Sequence, residues 1–368
     1  MDNMLNLFTF KPESFGLDFS DSFLRIAKLR KKKNGFDVVS YGEYPLRPGI
    51  IRNGEVKKEE DLVESIKKTV NSVKGKKLST NYVVSSLPDG KAFLEVIQMP
   101  LIPKEDLKSA VIYEAENYIP LPIQDVYLDS EIVAPIVNHL NHFDVLIAAL
   151  PRKTVDPYLV CLKKAGLKPL ALEMESFAIA RALVKNHTSS SPVAIVDLNQ
   201  TKTSVIIFSG NSLRFSFCIP IAGRDLTEAI CRNLKIDEKE AETLKKEHGL
   251  ENKTKKGKEV FEALIFPLTD LAEQIKKYLD FYSSHASHEH LASPAKKVSK
   301  ILLSGSGANL KGLADYISEN LSIKVELGDP WVNILSEEQR KVLEPSTQKS
   351  LSFVSALGLA IRAAKTQK

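Results

Sequence analysis

Residues 14–30 read Ser14-Phe-Gly-Leu-Asp-Phe-Ser-Asp-Ser-Phe-Leu-Arg-Ile-Ala-Lys-Leu-Arg30, a pattern of an apolar strand, a short polar turn and a second strand. A basic turn at Lys31 to Gly35 predicts a hairpin into a third strand, Phe36 to Tyr44. Apolar residues at helical spacing follow in Glu59 to Val73, and a β-branched run resumes at Tyr82 to Leu87. A meander, a helix and a further strand are typical of one ribonuclease-H-like half.

The second half of the chain opens in the same way. Strands are predicted at Val193 to Asp197, Thr203 to Phe208 and Leu213 to Pro220, again with polar turns between them. An internal repeat reflects the architecture of a fold rather than one local accident. We therefore put the boundary between two α/β halves at the polar spacer His187 to Pro192, and expect a cleft between them.

Other segments complete the two halves. A small β-α-β-β module is predicted from strands and one acidic helix: Ala92 to Met99, helix Lys104 to Tyr118, Val126 to Val133 and Val145 to Leu150. Leu159 to Leu162 and Glu173 to Val184 are predicted as helices that lead to the spacer. The second half continues with predicted helices and one strand: Asp225 to Asn233, Glu238 to Lys246, Glu259 to Ser284, strand Lys300 to Ser304 and helix Asn309 to Asn320.

Composition excludes several classes of protein. The chain has 368 residues, a net charge of +5 and 43% hydrophobic residues, which suits a globular protein with room for two cores. No run approaches the roughly 20 apolar residues that span a bilayer, and residues 1–13 are predicted to be a flexible terminus rather than a signal peptide. The short basic runs contain no aromatic residue, which argues against nucleic-acid binding.

Three polar turns each follow an apolar strand: Asp18 to Ser22, Asp197 to Thr203, and Ser304 to Asn309. A carboxylate at the end of a strand suits the water shell of Mg²⁺, and the backbone N–H groups of such a turn suit phosphate oxygens. Two glycines in the third turn let the backbone approach a ligand before a helix begins. Each turn alone is more simply a reverse turn without a ligand. Their order at matching places of a repeat favours a nucleotide cleft.

The sequence resembles the actin-like ATPases and, among them, the PilM family of type IV pilus assembly, close to the cell-division protein FtsA. The resemblance covers Phe15 to Ala364 and implies an α/β actin-like ATPase fold, with two ribonuclease-H-like halves around a nucleotide cleft and an FtsA-type 1C subdomain. Besides the three turns it rests on further stretches: Met99 to Pro103, Tyr113 to Pro122, Ala165 to Pro169, Glu173, Ala180 to Ala182, Ile221 to Ala229 and Ala241 to Lys245.

The resemblance implies ATP and Mg²⁺ as ligands. The implied binding residues are Asp18, Ser20, Ser22 and Arg25 in the first phosphate loop, Asp197, Asn199, Thr201 and Thr203 in the second, Gly223 near the phosphates, Glu242 and Lys245 near the ribose, and Gly305, Gly307 and Asn309 around the adenosine. Asp18 and Asp197 are implied to hold magnesium through water, and Arg25 to offset phosphate charge.

The implied subdomains follow the order of the chain. The first half comprises the first part of subdomain 1A at residues 14–88, subdomain 1C at 89–151 and the rest of the half at 152–190. The second half comprises the first part of subdomain 2A at 191–223, a 2B-like helical insertion at 224–298 and the second part of 2A at 299–332. The C-terminal helices at 333–368 return to subdomain 1A.

Two positions depart from the pattern of the family, which usually has glycine where this chain has Ser20 and Asn199. Serine adopts a left-handed backbone less readily than asparagine, and either side chain crowds a phosphate. The departures predict nucleotide binding that is weaker than the family norm or absent. No residue identifies itself as a general base, so the sequence predicts at most a slow ATPase.

The resemblance implies a cytoplasmic component of a pilus or related secretion platform at the inner membrane. Its implied partner is the cytoplasmic N-terminal peptide of a PilN-like bitopic membrane protein, in a groove between the first subdomain and the Ala92 to Leu150 module. Other platform proteins and a second copy of the chain are further candidate partners. Two alternatives stay open: an ATPase whose hydrolysis drives filament formation or platform switching, and a nucleotide-independent scaffold.

The C-terminal segment Leu351 to Ala364 has too little polar face for a lipid-binding helix. We expect a buried final helix, with no direct insertion into the membrane. A location at the inner face of the cell membrane would then depend on the partner.

Overall fold

The structure is a computed structural model that describes residues 12–33, 35–133, 141–285, 296–336, 339 and 347–365. The predicted N-terminus lies outside the described residues except for residues 12 and 13. The strands, in chain order, are β1 (Phe15–Phe19), β2 (Phe23–Lys32), β3 (Gly35–Pro45), β4 (Ile51–Arg52), β5 (Glu55–Val56), β6 (Lys74–Gly75), β7 (Tyr82–Leu87), β8 (Phe93–Pro100), β9 (Val126–Val133), β10 (His142–Pro151), β11 (Lys168–Met174), β12 (Ser189–Leu198), β13 (Thr203–Gly210), β14 (Ser212–Ile219), β15 (Lys300–Ser304) and β16 (Lys324–Leu327).

The helices surround three of the sheets that these strands form. In chain order they are α1 (Glu59–Asn71), α2 (Lys104–Ala115), α3 (Arg152–Lys164), α4 (Glu175–Leu183), α5 (Gly223–Leu234), α6 (Glu238–His248), α7 (Lys255–His285), α8 (Leu313–Leu321), α9 (Thr347–Ser350) and α10 (Val354–Lys365). None of the described helices combines the length and the apolar character needed to cross a bilayer.

The two large sheets repeat one topology. In the first, the order is β11-β7-β1-β2-β3-β6, with an antiparallel meander of β1, β2 and β3 and a parallel set of β1, β7 and β11. In the second, the order is β14-β13-β12-β15-β16, with an antiparallel meander of β12, β13 and β14 and a parallel set of β12, β15 and β16. The internal repeat predicted from the sequence is therefore present in the fold.

The predicted β-α-β-β module is a separate small sheet with the order β8-β10-β9. Its antiparallel strands bury one face against α2, where Ile97, Val111, Ala115 and Ile147 form a core of their own. Alternation of apolar residues along β10 assigns one set of side chains to this core and the other set to the opposite face. The opposite face is turned towards the first large sheet.

The final helix α10 packs against β1, β2 and α4, and most of its residues are buried. Two glycines permit this close approach. A Cβ atom on Gly358 would lie 1.8 Å from the Ala178 carbonyl oxygen, and one on Gly16 would lie 2.7 Å from the Ala356 carbonyl oxygen. The prediction of a buried C-terminal helix is confirmed.

Several predicted elements differ from the structure; among them, helix Leu159 to Leu162 is part of the longer α3 (Arg152–Lys164), and helix Lys104 to Tyr118 ends at Ala115. Helix Glu173 to Val184 is wrong at its start, because Lys168–Met174 is the edge strand β11 and the helix begins at Glu175. Helix Asn309 to Asn320 is wrong at its start too, because Ser306–Asn309 is a single 3₁₀ turn and α8 begins at Leu313. The spacer His187 to Pro192 is partly strand, since β12 begins at Ser189.

Candidate functional site

The three polar turns predicted from the sequence meet around one small cavity between the two large sheets. Its lining includes half of the predicted ligand residues: Asp18, Ser20, Arg25, Asp197, Asn199, Thr201 and Gly305. The turns converge because Asp18 and Asp197 occupy matching positions near the ends of β1 and β12, the first strands of the repeated meanders. Symmetry of the two halves thus brings the two carboxylates to the same cavity.

Both aspartates are buried and hydrogen-bonded. An oxygen of Asp18 accepts a bond of 2.6 Å from the Ser355 hydroxyl of α10, and an oxygen of Asp197 accepts one of 2.6 Å from the Ser304 hydroxyl of β15. Asn199 donates its side-chain amide to the other oxygen of Asp197. Burial raises the pKa of Asp197, against the lowering effects of the Ser304 hydrogen bond and of Lys202.

The turn positions Ser20 and Asn199 carry no backbone strain, because neither has a positive φ. Ser20 closes its hairpin through its hydroxyl, which donates to the Phe23 carbonyl and accepts from the Phe23 N–H, each at 3.0 Å. The Asn199 N–H donates to the Lys202 carbonyl at 3.0 Å. Neither position therefore needs the left-handed backbone that glycine would favour.

Two charged residues outside the predicted ligand set also line the cavity. Lys202 of the second turn and Glu175 at the start of α4 both line it, and their side chains are 2.6 Å apart. Burial disfavours the charged form of Lys202, but the charges of Glu175, Cys218 and Asp89 together outweigh burial and raise the pKa of the lysine. Arg25 also lines the cavity and forms a 2.6 Å ion pair with Glu43.

The residues implied near the ribose form a cluster of their own, outside the lining of the cavity. Lys245 Nζ donates to the Gly223 carbonyl at 2.9 Å and to the Thr227 hydroxyl at 2.6 Å, and pairs with Glu242 at 2.6 Å. The Gly223 N–H donates to the Asn199 carbonyl at 2.8 Å. In this conformation the cluster links α5 and α6 to the second turn.

The remaining implied ligands also lie outside the cavity lining: Ser22, Thr203, Gly307 and Asn309. The Thr203 hydroxyl donates to the Ile221 carbonyl. Gly305 and Gly307 are required by packing on Leu198, since added Cβ atoms would lie 2.4 Å from its carbonyl oxygen and 2.5 Å from its Cγ. These contacts account for both glycines without a ligand.

The donor types at the cavity fit phosphate and hydrated magnesium, because carboxylates, hydroxyls and a lysine are the groups that bind them. The described part of the chain holds no cluster of three or more His, Cys, Asp or Glu arranged to bind a metal directly. The cavity volume is about 30 Å³, which is room for about one water molecule. The cavity has no room for a nucleotide in this conformation.

A larger groove lies between the small sheet and the first large sheet, with a volume of about 570 Å³. The small sheet contributes the face that is turned away from α2. In its antiparallel register, Leu146 is opposite Glu131, Ala148 opposite Asp129, and Leu150 opposite Tyr127, and all six line the groove. One wall is therefore apolar along β10 and acidic along β9.

Each side of this groove carries the edge strand of a sheet. Within the described residues, β9 pairs with β10 alone, and β11 pairs with β7 alone. Edge strands present unpaired backbone N–H and C=O groups that can pair with another chain. Leu170 of β11 lines the groove and is 43% exposed. The groove thus combines apolar side chains with free main-chain groups.

An ion cluster around the buried Glu173 carboxylate joins the groove to the C-terminal helix. Both carboxylate oxygens of Glu173 accept from Arg181 of α4, at 2.5 Å and 2.9 Å, and Arg362 of α10 pairs with the same carboxylate. All three side chains line the groove. Bidentate arginine–carboxylate pairs have a fixed geometry, so the cluster holds β11, α4 and α10 together.

Several known proteins are similar to this chain. A family model described as type IV pilus assembly protein PilM matches residues 16–364. Among solved structures, the PilM-PilN type IV pilus biogenesis complex is similar with a TM-score of 0.78 and 26% identity, over 96% of this chain and 99% of that one. EutJ, an ethanolamine utilization protein from Carboxydothermus hydrogenoformans, has a TM-score of 0.56 and 15% identity, over 95% of this chain and 90% of its own.

Two further relatives extend the comparison. MreB 5 of Spiroplasma citri, solved bound to AMPPNP, has a TM-score of 0.52 and 12% identity, over 93% of this chain and 98% of its own. The cell division protein FtsA of Bacillus subtilis (strain 168) is 26% identical over 91 residues, which are 25% of this chain and 21% of that protein. The actin-like fold predicted from the sequence is confirmed.

Proposed function

The chain belongs to the PilM family of type IV pilus assembly proteins, and on that premise we propose that it captures a PilN-like membrane protein for the assembly platform. The captured segment is the cytoplasmic N-terminal peptide of that partner. The observation that carries the proposal is the groove of about 570 Å³ between two edge strands. A groove with free main-chain groups on both sides suits an extended peptide that adds a strand.

The walls of the groove indicate the chemistry of the peptide. Leu146, Ala148 and Leu150 favour apolar side chains on one side of an extended segment. Asp129 and Glu131 stand beside them on the exposed strand β9 and favour a basic residue next to the apolar run. Short cytoplasmic segments of membrane proteins are rich in Lys and Arg, which matches this acidic wall.

Such capture gives the protein its location. We propose that it is cytoplasmic and lies at the inner face of the cell membrane through this partner, without inserting into the bilayer. Burial of α10 supports this arrangement, because its apolar residues are already covered by the first large sheet.

We further propose that the cavity between the two halves binds ATP with Mg²⁺ after the halves separate. Asp18 and Asp197 would hold hydrated magnesium, and the two hairpin turns would contact phosphate. Bound Mg²⁺ supplies charge neutralisation for the phosphates. Hydrolysis is at most slow in this proposal. The second candidate, a scaffold that works without nucleotide, is favoured by one observation: the closed cavity of about 30 Å³.

Fluorescence anisotropy tests capture most simply, with a labelled peptide of the N-terminus of a PilN-like protein. Leu170→Arg puts a bulky cation in the groove, and we expect about 30-fold weaker binding, as for a loss of about 2 kcal/mol at a binding hot spot. Leu101→Arg is the matched control, since Leu101 is 57% exposed and lies outside the groove. Equal binding by the parent and Leu170→Arg would refute peptide capture in this groove.

A further inference from the structure

Lys202 reaches across the cleft. It lies in the turn between β12 and β13, and its Nζ donates to Glu175 Oε2 at 2.6 Å. Glu175 is the first residue of α4, which directly follows strand β11 of the first large sheet. The side chains of Lys202 and Glu175 are 24% and 7% exposed. This shielded ion pair therefore ties the second phosphate turn to the first half of the molecule.

The charges around the cavity are unbalanced. Four of its lining residues are acidic: Asp18, Asp21, Glu175 and Asp197. Its basic lining residues are Arg25 and Lys202, and Arg25 is already paired with Glu43 at 2.6 Å. Lys202 is therefore the cation on which this group of carboxylates chiefly depends. A phosphate that enters brings more negative charge, so it requires this same lysine.

We propose that Lys202 is an exchangeable latch, which pairs with Glu175 while the cleft is closed and with a nucleotide phosphate once the cleft is open. The proposal rests on nucleotide binding at this cavity. A volume of about 30 Å³ cannot admit a phosphate while Lys202 bridges the halves. Separation of the halves breaks the ion pair, and a buried charge that loses its partner is strongly destabilising. A phosphate oxygen supplies the replacement partner.

The latch predicts opposite effects from its two members. Lys202→Met removes the cation that contacts phosphate, and we expect about 10-fold or greater weakening of ATP binding, as for one lost charge-assisted hydrogen bond. Glu175→Gln removes the competitor of the phosphate, and we expect about 5-fold tighter binding. An ion pair that only stabilises the fold predicts changes of the same sign for both variants.

The experiment is calorimetric titration of the full chain with ATP, in magnesium and again in EDTA, for the parent and both variants. Lys68→Met serves as the control, because Lys68 pairs with Glu64 on the exposed face of α1 and does not line the cavity. Hydrogen exchange of residues 199–203 without nucleotide gives a second measure. Both variants should accelerate it, since either one releases the turn from α4.

The titrations and the exchange measurements distinguish the latch from a purely structural ion pair. Opposite changes in ATP affinity, together with faster exchange in both variants, support the latch. ATP binding by the parent with equal affinities, or with changes of one sign in both variants, overturns the latch and leaves nucleotide binding intact. No ATP binding by the parent or by either variant overturns both the latch and the proposed nucleotide function, and leaves peptide capture untouched.

Discussion

Gly358 is where one added methyl group should damage the fold most. The glycine lies on α10 where that helix crosses α4, and a Cβ atom there would be 1.8 Å from the Ala178 carbonyl oxygen. An ordinary contact needs roughly 3.4 Å, so Gly358→Ala must push the helices apart by roughly 1.5 Å. The same helix carries Ser355 and Arg362, which contact Asp18 and Glu173. Both candidate sites therefore depend on this crossing.

Two effects of opposite sign decide how much Gly358→Ala changes the stability of the fold. Alanine is favoured over glycine in a helix by about 0.5–1 kcal/mol, whereas overpacking a core costs about 1–3 kcal/mol and sometimes more. The clash is with backbone atoms, which cannot rotate away, so the upper end of that range applies. We expect a net loss of about 2 kcal/mol, or a melting temperature lower by about 2–4 °C for a chain of this length.

Differential scanning calorimetry of the parent and Gly358→Ala measures this loss. Gly90→Ala is the matched control, because its Cβ would meet nothing closer than the Cys218 sulfur at 4.0 Å. We expect the control to change stability by less than about 0.5 kcal/mol. A Gly358→Ala variant that melts at or above the temperature of the parent would refute the packing of α10 on α4.

Two other predictions concern charge. Glu173→Gln leaves Arg181 and Arg362 without their shared carboxylate, so it should lower the free energy of unfolding in urea by about 2–3 kcal/mol. The control Glu64→Gln, at an exposed ion pair, should change that free energy by less than about 0.5 kcal/mol. Equal changes in the two variants would contradict a stabilising role for the cluster. Burial lowers the pKa of His187 from 6.5 to about 4, so between these values the unfolded chain takes up a proton that the folded chain does not. Stability should thus be unaffected by this residue above pH 6.5 and fall by at most about 3 kcal/mol towards pH 4; a His187→Gln variant with the same acid sensitivity would exclude this histidine as the cause.

Local signals made the meanders predictable. Turns rich in polar residues and alternating strands specify antiparallel hairpins over short distances, and both meanders formed as expected. Strand β11 is not predictable from the sequence, because Leu170, Ala171 and Leu172 form a continuous apolar run beside a helix. Periodicity cannot separate such a run from a helix when the strand is parallel to its neighbour. Its identity follows from pairing with β7, which is distant in sequence.

The residues of the candidate sites likewise fall into two groups, those that local sequence predicts and those that depend on contacts between distant segments. Asp18 and Asp197 were found because each stands near the end of a predicted strand at a matching place in the repeat. The sequence does not indicate a role for Lys202, although it lies in the same turn as Asp197, because its partner Glu175 is distant in sequence and belongs to the other half. The groove was predicted in outline from a resemblance. Its two edge strands emerge only from the order of the sheets.

Hydrogen exchange of the full chain with and without the PilN-like peptide tests the central claim most directly. A peptide that adds a strand in the groove forms main-chain hydrogen bonds with β9, with β11 or with both. We predict slower exchange of amides in Val126–Val133 or Lys168–Met174 on binding, with the exposed helix α6 unchanged as an internal reference. Saturable binding that leaves both edge strands exchanging at their original rates would contradict capture of the partner in this groove.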